Sequence, residues 1–309
     1  MLISISFILS CFTIIISERY FLHNNYNDKI NNRSSHSSLA TRSGGVSLFL
    51  TLFLISTYFY LSRYDIYEFS LLVPLSLLMV VGLYDDINGI DFKLKFIFQI
   101  IAAKIIIDNG LIIDNLHGFA GIFEINIFLA QILTMFLILA ILNAINFIDG
   151  IDGLAISITI LFILSFEFFS NSITPYYNLS QILISALIPL YFFNFRKKNK
   201  IFLGDSGSLL LGGIISIYVI TILTNTYIIK PKFDMHKIFF VFSILSYPII
   251  DITRIFFYRL YNKKSPFQPD KNHIHHIFLK KINKHVLVVA LIISISILFV
   301  IMAQVINKM

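Results

Sequence analysis

The sequence predicts an all-α polytopic membrane protein with about ten transmembrane helices. Of its 309 residues, 57% are hydrophobic and only 13% are charged, and the mean hydropathy is +0.82. A soluble domain carries about a quarter charged residues, because water must wet its surface. Several apolar runs approach the length of about 20 residues that a helix needs to cross a bilayer. Together these observations predict a single integral membrane domain over residues 1–309.

Ten apolar segments follow one another without a linker or an internal repeat, and each is predicted to form a transmembrane helix. They lie near 1–17, 44–61, 69–84, 94–107, 122–142, 153–169, 179–195, 207–224, 236–258 and 286–306. The first segment lacks the basic start and the small-residue cleavage site of a signal peptide, so we expect it to be a membrane helix. It contains Cys11, the one cysteine, so an intramolecular disulfide is excluded.

Basic residues are concentrated in alternate loops. The odd-numbered loops contain residues 18–43, 85–93, 143–152, 196–206 and 259–285. With Lys95 at the edge of the third loop, they hold 17 of the 24 Lys and Arg, whereas the even loops and the C-terminal tail hold 4. Lys and Arg in short loops stay cytoplasmic, so these loops are predicted to face the cytosol. The net charge of +7 then reflects topology, and no nucleic-acid partner is expected.

The third loop opens with two adjacent carboxylates, Asp85 and Asp86, at the end of an apolar helix. Such a pair is costly at a membrane unless a positive partner uses it, and a divalent cation on a diphosphate is a natural partner. A solvated helix end is the alternative.

The fifth loop has polar residues at three-residue spacing. Asn143, Asn146 and Asp149 fall along one side of a helix, and Gly150 and Gly153 then allow a tight turn. With the neighbouring Asp152, these oxygen-bearing groups can bind a hard metal ion or hydrogen-bond a nucleobase and ribose. Capping of two helix ends explains only part of the pattern.

The seventh loop runs into a helix through Gly204-Asp205-Ser206-Gly207-Ser208. Asp205 can cap that helix, and a helix start flanked by glycines is also a phosphate site. Phe202 either packs against lipid and core or stacks on a base. The ninth loop is basic and carries three histidines, His273, His275 and His276. They indicate either a transition-metal site or phosphate contacts, and neighbouring lysines favour anion binding, because zinc would need further ligands.

In this order along the chain, the motifs resemble those of the polyprenyl-phosphate N-acetylhexosamine-1-phosphate transferase family, which is related to the phospho-MurNAc-pentapeptide translocase. The run from Asn143 to Gly153 matches the family's Asn-x-x-Asn-x-x-Asp-Gly-x-Asp-Gly in full. The remaining matches are Asp85, Asp86, Gly89, Lys93, Lys95, Gln99, Gly204, Asp205, Gly207, Ser208, Ser265, Pro266, Phe267, Asp270, His273, His275, His276, and, in the first loop, Asp28, Asn31, Arg33, Ser34, His36, Arg42, Gly44 and Gly45.

The resemblance implies transfer of a sugar 1-phosphate from a UDP-N-acetylhexosamine to undecaprenyl phosphate, with release of UMP. It implies Mg²⁺, with Mn²⁺ as a substitute, and an active site on the cytoplasmic face of a bacterial plasma membrane. Asn88, Gly89 and the His-x-His-His loop favour the branch that starts O-antigen and similar envelope glycans over the peptidoglycan branch. Oligomeric state stays open, with a homodimer as one alternative.

The resemblance also implies residue roles. For the chemistry and the metal ion, Asp205 binds Mg²⁺ with Asn146 or Asp149 nearby, Asp85 positions or deprotonates the lipid phosphate, and Asp86 serves the metal indirectly. For the substrates, uridine is held by Asn146, Asp152 and Phe202, and the phosphates and sugar by Arg33, Lys95, His273, His275 and His276. Asn143 is a further substrate-binding residue. A transporter of lipid-linked sugars is the alternative function, but its polar residues would lie within the spans, which here carry few charges.

Overall fold

The computed structural model describes residues 1–28, 40–64, 66–233, 235–263 and 272–306, with side chains up to residue 304. Helices dominate because a chain in lipid must pair its backbone polar groups within each segment. The described α-helices are α1 (Leu2–His23), α2 (Gly44–Leu61), α3 (Leu72–Asn88), α4 (Phe92–Asp108), α5 (Ile127–Ile148), α6 (Leu154–Phe169), α7 (Tyr177–Asn194), α8 (Gly204–Leu223), α9 (Lys237–Ile244), α10 (Ser246–Tyr261), α11 (Ile274–Ile282) and α12 (His285–Ile306). The described strands are β1 (Ala40–Thr41), β2 (Asn115–Phe119), β3 (Ile122–Glu124) and β4 (Lys200–Ile201).

Within the described chain, six helical segments are long and apolar enough to cross a membrane. They are Leu2–His23, Gly44–Leu61, Phe69–Asn88, Ile127–Ile148, Gly204–Leu223 and His285–Gln304. Helices α9 and α10, bent by 75° relative to each other, give a seventh if they are taken as one span. The chain is therefore a helical polytopic membrane protein with six or seven candidate spans. A helix lies in each of the ten predicted regions, and the count of ten spans stays a prediction.

Three local features differ from the predicted segments. The predicted fifth span begins inside an antiparallel β2–β3 hairpin, and α5 starts only at Ile127. Gly118 and Gly121 allow the tight hairpin because both have positive φ. The predicted ninth span is broken between α9 and α10, where Pro248 lies in the first turn of α10 and lacks a backbone N–H. The predicted ninth loop contains the short helix α11.

Helix α8 is the centre of the bundle. Its apolar window is entirely buried, and it packs against α2, α3, α5, α6 and α9. Two glycines allow the closest approaches: a Cβ atom on Gly82 of α3 would lie 2.4 Å from the backbone oxygen of Asp205, and one on Gly45 of α2 would lie 2.1 Å from the backbone nitrogen of Gly207. The backbones of α2 and α3 therefore contact the first turn of α8 directly.

A parallel pairing of β1 with β4 holds the starts of α2 and α8 side by side. The backbone N–H of Gly44 donates to the carbonyl of Phe202 at 3.0 Å, and that of Gly45 donates to the carbonyl of Leu203 at 2.9 Å. This end of the bundle carries the polar loops in which the sequence placed its candidate site residues.

Candidate active site

A lysine joins two carboxylates where α3, α4 and α8 meet. Lys95 Nζ on α4 lies 2.8 Å from Asp85 Oδ2 and 2.5 Å from Asp205 Oδ2. The backbone N–H of Ile90 donates to the other oxygen of Asp85 at 3.0 Å. Lys95 is only 9% exposed, so its charge is largely shielded from water and compensated by the two carboxylates. The fold therefore brings together three residues that the sequence predicted for the site.

Asn146 joins the same cluster from the last turn of α5. Its Nδ2 donates to Asp205 Oδ1 and to Ser208 Oγ, both at 2.8 Å. Asn143, one turn earlier, instead donates to Gln99 Oε1 at 3.1 Å. Gln99 is buried, and its Nε2 has no hydrogen-bond partner among the described residues. The two asparagines therefore lie on one helix side, as predicted, but contact different partners.

Asp86 fixes the start of α8. Its two carboxylate oxygens accept hydrogen bonds from the backbone N–H groups of Asp205 at 2.9 Å and Ser206 at 3.0 Å. These are N–H groups that a helix start leaves without an intrahelical acceptor. Gly204 has φ +72°, and a Cβ atom there would lie 2.6 Å from Asp86 Oδ2, so glycine is required. Asp86 thereby positions Asp205 through the backbone.

Asp149 directly follows α5 and lies in the electrostatic field of the same carboxylates. Burial raises the pKa of Asp149 well above its usual value, and the charges of Asp205 and Asp86 raise it further. The Asp149 carboxyl therefore holds a proton at higher pH than an ordinary aspartate and is a candidate proton carrier.

Asp152 lies in an ion-paired cluster of its own. Its Oδ2 is 2.5 Å from Lys200 Nζ and 2.9 Å from His285 Nδ1. Burial alone would raise the pKa of Asp152, but the hydrogen bonds from His285 and Lys200 outweigh it and lower the pKa. Lys200 Nζ also lies 5.6 Å from the ring centroid of Phe202, within cation–π range. Two of the residues predicted to hold uridine, Asp152 and Phe202, thus share one lysine.

The three histidines of the ninth loop form a packed group. The rings of His273 and His275 stack with centroids 5.4 Å apart, and those of His275 and His276 lie 4.3 Å apart. A Cβ atom on Gly150 would lie 2.6 Å from His275 Nε2 and 3.0 Å from His276 Nε2, so the group contacts the loop after α5. Burial, followed by the charge of His276, lowers the pKa of His275 to about 3. His275 is therefore neutral near pH 7.

The predicted first loop contains two basic residues of the family motifs, Arg33 and Arg42. Arg33, a predicted phosphate ligand, lies outside the described residues. Arg42 approaches the cluster instead, with its guanidinium 3.5 Å from Asp86 and 2.9 Å from Asp28. Arg42 matched a family motif, but its contact with Asp86 could not be predicted from the sequence. The available signal was that Asp28 and Arg42 both belong to the motif residues of the first predicted loop.

The donor set fits a hard cation. Asp85, Asp86, Asp149 and Asp205 bring four carboxyl groups against two cations, Lys95 and Arg42. No group of three or more His, Cys, Asp or Glu within the described ranges has the geometry to ligate a metal by itself. Mg²⁺ commonly binds one or two carboxylates and takes its other ligands from water and substrate phosphates. The cluster suits that mode, with Asp205 as the carboxylate nearest to Asn146.

Comparisons with known proteins point the same way. The sequence profile of glycosyl transferase family 4 matches residues 68–223. A Bacillus subtilis protein named "probable undecaprenyl-phosphate N-acetylglucosaminyl 1-phosphate transferase" is 31% identical over 99% of this chain and 85% of its own length. The decaprenyl-phosphate N-acetylglucosaminephosphotransferase of Mycobacterium tuberculosis is 31% identical over 84% of this chain and 70% of its own. An undecaprenyl-phosphate alpha-N-acetylglucosaminyl 1-phosphate transferase of Yersinia pestis is 29% identical over 82% and 69%.

The matched profile covers α3 to α8, which carry Asp85, Lys95, Asn146 and Asp205. The relatives extend the likeness to nearly the whole chain. The resemblance inferred from the motifs is confirmed, and the chain belongs to glycosyl transferase family 4.

Proposed function

We propose that this protein transfers N-acetylhexosamine 1-phosphate from a UDP-sugar to undecaprenyl phosphate and releases UMP. An oxygen of the lipid phosphate attacks the sugar-linked phosphorus of the donor and forms a new diphosphate. The bond from that phosphorus to the bridging oxygen breaks, and UMP leaves with the oxygen. The names of the relatives support both the polyprenyl acceptor and the sugar-phosphate product.

The observation that carries the proposal is the pair of carboxylates, Asp85 and Asp205, joined by Lys95 at one end of the bundle. Phosphoryl transfer depends mainly on positioning the phosphates and compensating their charge. Lys95 can move from its carboxylates to a phosphate oxygen when substrate arrives. The acceptor phosphate is already ionised near pH 7, so Asp85 is proposed to orient it and to take a residual proton where one remains.

Asp205 and Asn146 are the proposed Mg²⁺ ligands, with the substrate diphosphate completing the coordination. When bound, Mg²⁺ or Mn²⁺ compensates the negative charge of the diphosphate. Asp86 acts through the backbone by holding the start of α8, and Asp149 is the proposed proton carrier. Among the described residues, Asn146, Asp152 and Phe202 are proposed to contact uridine, and His273, His275 and His276 the phosphates and sugar. Asn143 is a further proposed substrate-binding residue.

We propose that this chemistry takes place at the cytoplasmic face of a bacterial plasma membrane. UDP-sugars are made in the cytosol, and the site residues belong to the basic loops that are predicted to face the cytosol. The product is proposed to start an envelope glycan such as O-antigen. The His273-Ile274-His275-His276 sequence and Asn88-Gly89 support that branch over peptidoglycan synthesis.

The test is UMP release by the purified protein in detergent with undecaprenyl phosphate, Mg²⁺ and a panel of UDP-N-acetyl sugars. Matched reactions contain EDTA, or Mn²⁺ in place of Mg²⁺, and a relative of known activity serves as positive control. Metal-dependent UMP from one sugar supports the reaction and identifies the donor. Absence of UMP from every sugar, with folded protein and an active control, would overturn the proposal.

A further inference from the structure

Helix α10 places two polar side chains, one helical turn apart, against the histidines of the ninth loop. Tyr247 and Asp251 are buried, with relative exposures of 6% and 1%. Tyr247 contacts His275, and Asp251 contacts His273. Residues at this spacing lie on the same helix face. Neither side chain belongs to the motifs that identified the site.

Asp251 determines which nitrogen of His273 carries a proton. Its Oδ2 lies 2.6 Å from His273 Nδ1, and its Oδ1 accepts from the backbone N–H of Ile274 at 2.7 Å. An ionised carboxylate only accepts hydrogen bonds, so Nδ1 of His273 must be the protonated nitrogen. The Nε2 atom is thereby turned away from Asp251. A carboxylate that orients a histidine in this way also fixes its tautomer.

Tyr247 fixes the opposite tautomer in His275. The Tyr247 hydroxyl lies 2.9 Å from His275 Nδ1 and also accepts from the backbone N–H of His275, so Nδ1 is the acceptor that the described residues offer its proton. Its proton therefore goes to Nδ1, because the alternative leaves a buried hydroxyl proton without an acceptor. Neutral His275 then carries its own proton on Nε2. That atom is buried and has no partner among the described residues.

The unpartnered N–H of His275 faces the loop that carries the other site residues. A Cβ atom on Gly150 would lie 2.6 Å from His275 Nε2. In the sequence, Gly150 lies between Asp149 and Asp152. Buried donors in native proteins are nearly always paired, so an unpaired one at a site is aimed at a ligand.

We infer that Tyr247 and Asp251 are positioning residues that set opposite tautomers in His275 and His273. His275 then presents Nε2–H as a hydrogen-bond donor to an acceptor oxygen of the nucleotide-sugar, while His273, in its neutral form, presents an unprotonated Nε2 as a hydrogen-bond acceptor. This inference rests on the proposed function for the identity of the ligand, but the tautomers themselves are a property of the protein alone.

The experiment compares Tyr247→Phe and Asp251→Asn with Tyr258→Phe, a control at an exposed tyrosine of the same helix. Steady-state UMP release is measured against the UDP-sugar and, separately, against the lipid phosphate. Tyr247→Phe is expected to raise KM for the donor about 10-fold, and Asp251→Asn to lower kcat/KM for the donor about 100-fold, as losses of orienting partners do. In both variants, KM for the lipid phosphate should stay at the wild-type value. In the control Tyr258→Phe, all the kinetic constants should stay at wild-type values.

The second readout is the ¹⁵N spectrum of histidine-labelled protein, which distinguishes protonated from unprotonated ring nitrogens. Tyr247→Phe should alter the Nδ1 and Nε2 signals of one ring, Asp251→Asn those of another, and Tyr258→Phe neither. The inference would be overturned if Tyr247→Phe kept the wild-type KM for the donor and also kept the wild-type histidine ¹⁵N signals. Tyr247→Phe keeps the buried ring, so it carries the test if Asp251→Asn fails to fold. If the wild type releases no UMP, the proposed function fails, and the spectra still decide the positioning.

Discussion

The ammonium group of Lys95 on α4 lies 2.5 Å from a carboxylate oxygen of Asp205 at the start of α8. The same ammonium reaches Asp85 on α3, so one cation links three helices at the end of the bundle. Lys95 lies between the two carboxylates and compensates their charge, so it contributes to the stability of the fold as well as to the candidate site. The first prediction separates these contributions.

Replacing Lys95 by Met should destabilise the protein by about 2 kcal/mol, because two partly buried carboxylates lose the charge between them. A divalent cation can take that place, so added Mg²⁺ should raise the thermal midpoint of Lys95→Met more than that of the wild type. Midpoints are measured in detergent at constant ionic strength. Lys104→Met is the control: it removes an exposed pair with Asp108 and should cost less than about 0.5 kcal/mol. Equal Mg²⁺ responses in Lys95→Met and wild type would argue against a cation site here.

Asp205→Asn should lower turnover about 1,000-fold, the order of loss seen when one well-placed electrostatic contact to a reacting phosphate or oxyanion is removed. The amide cannot serve both Lys95 and a metal ion as the carboxylate does. Raising the Mg²⁺ concentration should not restore the rate. The matched control is Asp108→Asn, at an exposed aspartate of α4 outside the cluster, which should retain wild-type turnover. Near-normal rates with unchanged metal dependence in Asp205→Asn would show that the metal ligands lie elsewhere.

Asp149→Asn should stabilise the fold while reducing activity. The folded-state pKa of Asp149 is raised, so stability is lost as pH rises from its ordinary pKa, near 3.8, to the raised value. Removing the ionisable group removes that loss. The variant should therefore exceed the wild type in thermal midpoint by the equivalent of about 1 kcal/mol at pH 8, and the difference should shrink as the pH falls towards 4. A midpoint difference independent of pH would mean that Asp149 ionises normally.

Gly82→Ala should push α3 away from α8. The new Cβ atom would lie 2.4 Å from the backbone oxygen of Asp205 and 2.5 Å from Cα of Ser206, and backbone atoms cannot move aside cheaply. Overpacking of this kind costs about 1–3 kcal/mol, and displacement of Asp205 should lower turnover as well. Ser76→Ala on the same helix removes only a hydroxyl bonded to the carbonyl of Leu72 and should stay within about 0.5 kcal/mol. Wild-type stability of Gly82→Ala, measured by thermal unfolding, would contradict the close packing.

Apolar runs predicted the helices well because a membrane-spanning helix is set by local composition. The break between α9 and α10 was not predicted, since the run from 236 to 258 is apolar apart from scattered polar residues and only Pro248 signals a helix start. The β2–β3 hairpin was missed for a similar reason: its residues 122 to 124 extend the apolar run into which α5 continues.

The family resemblance assigned Asp85, Lys95, Asn146 and Asp205 to one site, and the structure shows how their side chains pair. Nothing in the sequence says that Lys95 bonds Asp205, which is 110 positions away, because that contact depends on how α4 and α8 pack. Asp251 is a carboxylate within an apolar run, which is the usual signal of a functional group in a membrane protein. Its partner His273 became visible only in three dimensions.

The complete burial of α8 has a consequence for how the protein is made. Helices enter the membrane in the order in which the ribosome delivers them, and they pack afterwards. Four helices that pack on α8, namely α2, α3, α5 and α6, are synthesised before it and must wait in lipid with their contact faces uncovered, whereas α9 follows it. We expect nascent chains that end before Gly204 to be recognised by membrane chaperones and proteases, and the catalytic cluster to form only late in biogenesis, when α8 inserts among helices that are already present.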